Sequence, residues 1–94
     1  MQALTNLTKI NNIGNCFNII HSDTTHEPFN YNNDFKPSLE IRDVTKEDLE
    51  LYGSDFSARS YYSTVASFRE LANFFKFLKE NNIYDNTKII ITSD

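Results

Sequence analysis

The 94 residues contain one cysteine, two prolines, two glycines and no tryptophan, and acidic residues outnumber basic ones. Because Cys16 is the only cysteine, no disulfide can form within the chain. No apolar run approaches the roughly 18 residues of a transmembrane helix, and the first residues lack the charged and apolar regions of a signal peptide. Nine basic against thirteen acidic residues give a net charge of −4, which disfavours nucleic acid and anionic membrane surfaces as partners.

The hydrophobic content and the last residue both suggest a piece of a larger domain. Hydrophobic residues make up 39 % of the chain, and a protein of this length buries only about 60 % of its unfolded surface. Asp94 stands where the predicted strand with the apolar run 89–91 ends, a place where natural domains rarely stop. We therefore expect residues 1–94 to be a single fragment of a catalytic domain, truncated at the C-terminal end of a core strand of a longer parent protein.

Hydrophobic spacing and capping residues predict three helices. The first covers about 2–12, and the second begins at Thr45, three residues before Asp48, and is ended by Gly53. The third runs from about 55 or 57 to 81. Its apolar residues recur every three or four positions and predict one buried stripe, which Phe74 and Phe77 widen. The stripe contains Tyr61, Val65, Phe68, Leu71, Ala72, Phe75 and Leu78.

Two segments, 16–20 and 88–91, predict strands. The second contains the apolar, β-branched run 89–91 without polar alternation, which predicts burial on both faces. Residues 23–39 between the first strand and the second helix have no periodicity and predict a long surface loop. Two strands joined through a helix favour parallel pairing with a right-handed crossover. The expected fold class is therefore α/β, with a partial doubly wound sheet of parallel strands.

Parallel pairing would bring two groups of polar residues to one edge of that sheet. Open α/β sheets bind ligands outside the carboxyl ends of their strands, where residues 23–27 and Asp94 would lie. One histidine, two hydroxyls and three carboxylates at one edge are typical of a site for a metal ion or a phosphate group. These residues are Asp23, Thr24, Thr25, His26, Glu27 and Asp94.

Two segments resemble sulfatases and related enzymes of the alkaline phosphatase superfamily. Residues 84–87 (YDNT) and 89–94 (IIITSD) resemble the family segment that continues as Asp-His-Gly. Residues 25–29 (THEPF) resemble the upstream His-x-Pro-Phe element. The likeness covers about 17–94 and is strongest to membrane-anchored sulfatase-like proteins near the lipoteichoic-acid synthases, which are phosphoglycerol transferases.

The resemblance implies an alkaline-phosphatase-like fold and a metal-dependent reaction on sulfate or phosphate esters. The parent would be a sulfatase-like hydrolase or a phosphoglycerol- or phosphoethanolamine-type transferase, anchored in a membrane with an extracytoplasmic catalytic domain. Asp94 would bind a divalent zinc, manganese, magnesium or calcium ion, and His26 would contact the transferred group. No catalytic residue falls within the fragment, so the fragment alone is expected to be inactive and to hold no metal.

Each of these residues also has a simpler interpretation. Asp94 could be a solvated terminal acid, and His26 a loop residue hydrogen-bonded to the backbone. His21 is expected to be structural, and the Thr24 and Thr25 hydroxyls fit turn chemistry better than catalysis. Cys16 lacks the Cys-x-Pro-x-Arg setting of the sulfatase nucleophile and is expected to be a cysteine of a core strand.

A second class of function is a small non-catalytic α/β interaction module. The residues encoded after Asp94 discriminate the two: His-Gly favours the enzyme, whereas a stop codon favours the module. As a fragment, residues 1–94 would leave the helix stripe and both strands without the remaining strands of the parent sheet. We therefore expect the isolated chain to form a homo-oligomer.

Overall fold

The computed structural model describes Thr5 and residues 14–93 of the chain. Within this part there are two α-helices, α1 (Lys46–Tyr52) and α2 (Asp55–Glu80), followed by a short 3-10 helix at Tyr84–Asn86. The helix predicted over 2–12 lies outside the described residues, apart from Thr5, which is helical. The two remaining helix predictions are confirmed.

The ends of α1 and α2 follow from capping residues. The Thr45 side chain accepts a hydrogen bond from the Asp48 backbone N–H at 3.2 Å, and α1 ends at Gly53, whose φ is 84°. This left-handed conformation suits glycine because it has no Cβ. The Ser54 side chain then accepts from the Ser57 N–H at 3.0 Å and begins α2, which Asn81 ends.

The two helices and the preceding loop pack through aromatic side chains. The Tyr62 hydroxyl of α2 donates to the Asp48 carboxylate of α1, and the Tyr52 and Tyr61 rings stack with centroids 4.7 Å apart. Phe35 lies 6.2 Å from the rings of both Tyr61 and Tyr62. The Arg69 guanidinium lies over the Phe35 ring, 4.5 Å from its centroid.

A hairpin loop (residues 30–38) places Phe35 against α2. Its two sides are joined by an isolated antiparallel bridge between Tyr31 and Pro37 and by the Ser38 N–H, which donates to the Asn30 carbonyl at 2.9 Å. Phe35 has a φ of 60°, a left-handed conformation that is unfavourable for a bulky residue. Its packing on Tyr61, Tyr62 and Arg69 holds it there.

The predicted apolar stripe of α2 is only partly buried. Leu78 is buried, but Phe68 is 64 % exposed and Tyr61 is also exposed. The most buried face of the helix lies one position away and consists largely of small residues, which allow α1 and the hairpin loop to approach closely. Its members are Ala58, Tyr62, Ser63 and Ala66.

The predicted α/β fold class is wrong. In residues 14–93 the segments 16–20 and 88–91 have no strand assignment and belong to no sheet, so there is no parallel pairing and no doubly wound arrangement. Phe17 is 87 % exposed and Ile90 75 % exposed. The apolar, β-branched composition of these segments favours an extended chain, but a sheet also requires a partner strand, which the described residues do not supply.

The Tyr62–Asp48 contact predicts a dependence of stability on pH. Burial, followed by the hydrogen bond to Asp48, raises the pKa of Tyr62 from 10.0 to about 12. A raised pKa in the folded state means that this stabilisation is complete below pH 10 and is lost as pH rises towards 12. We expect the free energy of unfolding to fall over this interval, and to fall less steeply in Tyr62→Phe. Urea unfolding between pH 8 and 12 measures it, with Tyr31→Phe as control; equal slopes in all three proteins would contradict the assignment.

Candidate functional site

An open groove lies between the turn at 26–29 and the first turn of α2, and we call it the His26 groove. Its volume is about 540 Å³. One wall comes from the loop that the sequence predicts to be functional, and the other from the beginning of the long helix. The lining residues are His26, Glu27, Pro28, Phe29, Asp55, Phe56 and Arg59.

The imidazole of His26 has a defined orientation. The His26 backbone N–H donates to the Asp23 carbonyl at 2.9 Å, which forms the turn, and Nδ1 lies 2.7 Å from the Glu27 carbonyl oxygen. Because a carbonyl oxygen only accepts, Nδ1 must carry the proton in this bond. Nε2 is then an acceptor in the neutral ring and a donor in the imidazolium. This nitrogen is available to a ligand.

An aromatic contact holds the turn against α2. An ion pair of α2 lies beside this contact. The rings of Phe29 and Phe56 meet edge to face, with centroids 5.3 Å apart. On the next helical turn, Arg59 Nε donates to the Asp55 carboxylate at 2.8 Å. The Arg59 side chain is only 16 % exposed, whereas that of Asp55 is 59 % exposed, so the carboxylate of this pair remains open to solvent.

Arg59 also connects the groove to the loop before α1. One terminal guanidinium nitrogen donates to the Arg42 carbonyl at 3.0 Å. The Arg42 N–H in turn donates to the side-chain oxygen of Asn32 at 2.9 Å, and the Asn32 amide nitrogen donates to the Glu40 carbonyl at 3.0 Å. Asn32 is 5 % exposed, and both polar atoms of its buried amide are hydrogen-bonded to the backbone of this loop. The groove wall is therefore linked by hydrogen bonds to a buried residue of the hairpin loop.

Negative charge predominates in the groove. Glu27 and Asp55 contribute two carboxylates against the single guanidinium of Arg59. Arg59 is engaged by Asp55 and Arg42, whereas Glu27 has no ion-pair partner among residues 14–93. With a neutral imidazole, the groove has an excess of one negative charge.

The other residues singled out in the sequence lie outside this groove. The His21 and Asp23 side chains are exposed and hydrogen-bond to each other at 2.7 Å, while Thr24 bonds to the Ser22 hydroxyl at 2.9 Å. These contacts fit the structural interpretation of His21 and the turn interpretation of Thr24. Cys16 is exposed, so its predicted place in a core strand is wrong.

The predicted metal ligand Asp94 lies outside the described residues, so its distance from His26 is undefined. In the described part of the chain, no group of three His, Cys, Asp or Glu side chains is arranged to hold a metal ion. None of the described helices is long and apolar enough to cross a membrane.

The sequence alone did not mark three lining residues of the groove as site residues: Asp55, Phe56 and Arg59. The i,i+4 spacing of Asp55 and Arg59 identifies an ion pair on α2, but only the tertiary contact between Phe29 and Phe56 brings that turn to His26. Comparisons with protein families, with curated proteins and with solved structures found no match.

The buried amide of Asn32 gives a stability prediction for this site. In Asn32→Asp the donor to the Glu40 carbonyl is lost and a carboxylate replaces it in a buried position, so we expect a loss of about 1–3 kcal/mol. Urea unfolding measures the loss, and hydrogen exchange of the Arg42 amide reports on the loop. The control is Asn33→Asp, which makes the same change at the exposed neighbouring residue. If both variants had the same stability, Asn32 would not have the role assigned to it.

Proposed function

We propose that this chain is part of a sulfatase-like enzyme, a metal-dependent hydrolase or a phosphoglycerol- or phosphoethanolamine-type transferase that acts on sulfate or phosphate esters. In this proposal His26 contacts the substrate and Asp94 binds the metal ion of the longer protein. The resemblance of residues 25–29 and 84–94 supports it. The observation that carries it is the imidazole of His26, oriented by its Nδ1 contact and lining an open groove.

His26 has the geometry of a substrate-contacting donor. Its Nδ1 bond to the Glu27 carbonyl fixes the ring plane, so that Nε2 need not be reoriented when a ligand arrives. As an imidazolium, Nε2 donates to a non-bridging oxygen of a phosphate or sulfate group. Such a donor stabilises the charge that builds on that oxygen in the transition state, an effect of roughly 2–4 kcal/mol in comparable sites.

The described residues do not complete a metal site. Asp94 would supply one carboxylate oxygen, a ligand suited to zinc, manganese, magnesium or calcium. A catalytic metal ion needs about three protein ligands, and the described residues add no such group. We therefore assign no step that runs through the metal to this chain, and we place the remaining ligands elsewhere in the longer protein.

This assignment predicts different consequences for two substitutions in the longer protein. His26→Ala should lower turnover about 10²–10³-fold with the metal still bound, because it removes a donor to the transition state. Asp94→Asn should abolish metal-dependent turnover, because it removes an anionic ligand. Hydrolysis of aryl phosphate and aryl sulfate esters, together with metal content from emission spectroscopy, separates the two effects.

The matched control is His21→Ala, since His21 is an exposed histidine whose contact is with Asp23 outside the groove. It should leave both turnover and metal content unchanged. Full metal occupancy and a normal rate in Asp94→Asn, or equal effects of the two histidine substitutions, would sink the assignment. So would stoichiometric, tight zinc binding by the 94-residue chain alone.

A non-catalytic interaction module is the second candidate, and the exposure of large apolar side chains favours it. Soluble monomers rarely leave such residues exposed in contiguous patches. Here they lie in segments 16–20 and 88–91, at one loop position, and once each on α1 and α2. The most exposed are Phe17, Ile19, Leu39, Leu51, Phe68, Ile90 and Ile91.

This surface predicts self-association of the isolated chain. We expect static light scattering to give a mass that rises with concentration, because association removes apolar side chains from water. Ile90→Gln should weaken the association, whereas Lys88→Gln in the same segment should not. A dilute, stable monomer that unfolds cooperatively would count decisively against it.

A further inference from the structure

We propose that the exposed side of α2 is an interface between two copies of this chain, in which the two α2 helices run antiparallel and cross near Phe68. The proposal rests on the self-association proposed above and gives that association a surface and a geometry. It does not depend on the enzymatic assignment. Three features support it: the spacing of exposed apolar residues, the position of α1 and the distribution of charge.

The exposed side of α2 carries apolar residues at the spacing of a helix–helix interface. They recur at intervals of four, three and four positions, which places them along one side of the helix. Phe68 is 64 % exposed and Tyr61 43 % exposed. Ala72 is exposed as well, and Val65 is half-buried. We call these four residues the Phe68 face.

A second copy of α2 matches the Phe68 face when the two helices run in opposite directions. In a two-fold arrangement one surface contacts itself, so Phe68 packs on the partner's Phe68. Tyr61 then lies opposite the partner's Phe75, and Val65 lies opposite the partner's Leu71. The pairing is therefore apolar along the length of the face.

The two ends of the Phe68 face differ in charge. α1 lies beside the N-terminal end, since Tyr52 stacks on Tyr61. Residues 43–52 contain four acids and one base, whereas residues 69–80 of α2 contain three bases and two acids. Glu50 of α1 and Lys79 near the end of α2 are both exposed, and neither has an ion-pair partner among residues 14–93. Each is therefore available to an opposite charge on a second copy.

Antiparallel pairing brings the acidic α1 of each copy to the basic end of its partner's α2. Phe68 lies about midway between Ser57 and Lys79, so a two-fold axis at Phe68 exchanges the two ends of the helix. Opposite charges then meet twice in each dimer, which favours association. A parallel pair would instead bring α1 to the same end as its partner's α1, and Lys79 to the partner's Lys79, so like charges would meet. Charge thus selects the antiparallel arrangement.

Charge reversal combined with mixing tests the geometry. Glu50→Lys and Lys79→Glu each place like charges at both ends of the dimer, so each should weaken dimerisation of the 94-residue chain at least about fourfold. An equimolar mixture of the two variants again offers opposite charges at both ends, and it should recover the dissociation constant of the unaltered chain to within about twofold. Sedimentation equilibrium measures these constants. Lys88→Glu, the same change at an exposed residue outside α2, is the control and should have no effect.

Two further substitutions test the apolar contact. Phe68→Gln should weaken dimerisation about tenfold or more, because it removes the central ring of both copies from the interface. Ile90→Gln should leave the dimer intact and reduce only the growth in mass beyond the dimer, since Ile90 lies in segment 88–91 and not on α2. Backbone NMR spectra of each variant show whether the fold is retained.

A mixture that associates as weakly as the two charge-reversed variants alone would overturn the proposal, and so would unchanged dimerisation in Phe68→Gln. Loss of all association in Ile90→Gln would refute the interface on α2 and keep self-association through segment 88–91. A chain that stays monomeric at every concentration would refute both. None of these outcomes depends on turnover or on metal binding, so the enzymatic proposal stands or falls by its own assays.

Discussion

The contact between Tyr62 and Asp48 is the interaction on which the described structure depends. It joins α2 to α1 and places Tyr61 beside Tyr52. Phe35 packs edge to face against the rings of Tyr61 and Tyr62. A helix as long as α2 gains most of its stability from tertiary packing and not from propensity alone. Its small residues Ala58 and Ala66 allow this packing at close range.

The site is organised from that packed region outwards. The hairpin loop carries Asn32, whose amide fixes the segment that ends at Arg42. The Arg42 carbonyl accepts a hydrogen bond from the Arg59 guanidinium, which also donates to the Asp55 carboxylate at the groove. His26 itself is oriented locally, by the backbone of its own turn. The groove therefore has two parts. The orientation of His26 depends only on its own turn, whereas the wall from α2 depends on tertiary contacts.

The helices could be predicted because their signals are local. Thr45 and Asp48 mark the start of α1, and Gly53 marks its end. The spacing of apolar residues predicts α2 in the same local way. The sheet could not be predicted correctly, since a strand is defined by a partner that composition does not reveal. His26 was proposed from its residue type and its neighbours in sequence, whereas Arg59 reaches the groove only because Phe29 packs on Phe56, a tertiary contact between segments distant in sequence. The buried face of α2 was missed for a related reason: Ala58 and Ser63 are too small to mark a hydrophobic stripe.

Segments 16–20 and 88–91, which are in neither helix nor strand, have a consequence for the lifetime of this chain. Proteases bind their substrates in extended form, and exposed segments near chain ends are preferred sites of cleavage. Phe17 and Ile90 present large apolar side chains on such backbone. The backbone of the helices and of the hairpin loop is engaged in hydrogen bonds and is less open to the same attack. Limited digestion would thus cut first within 16–20 and 88–91 and leave the two helices, the hairpin loop and the His26 groove together.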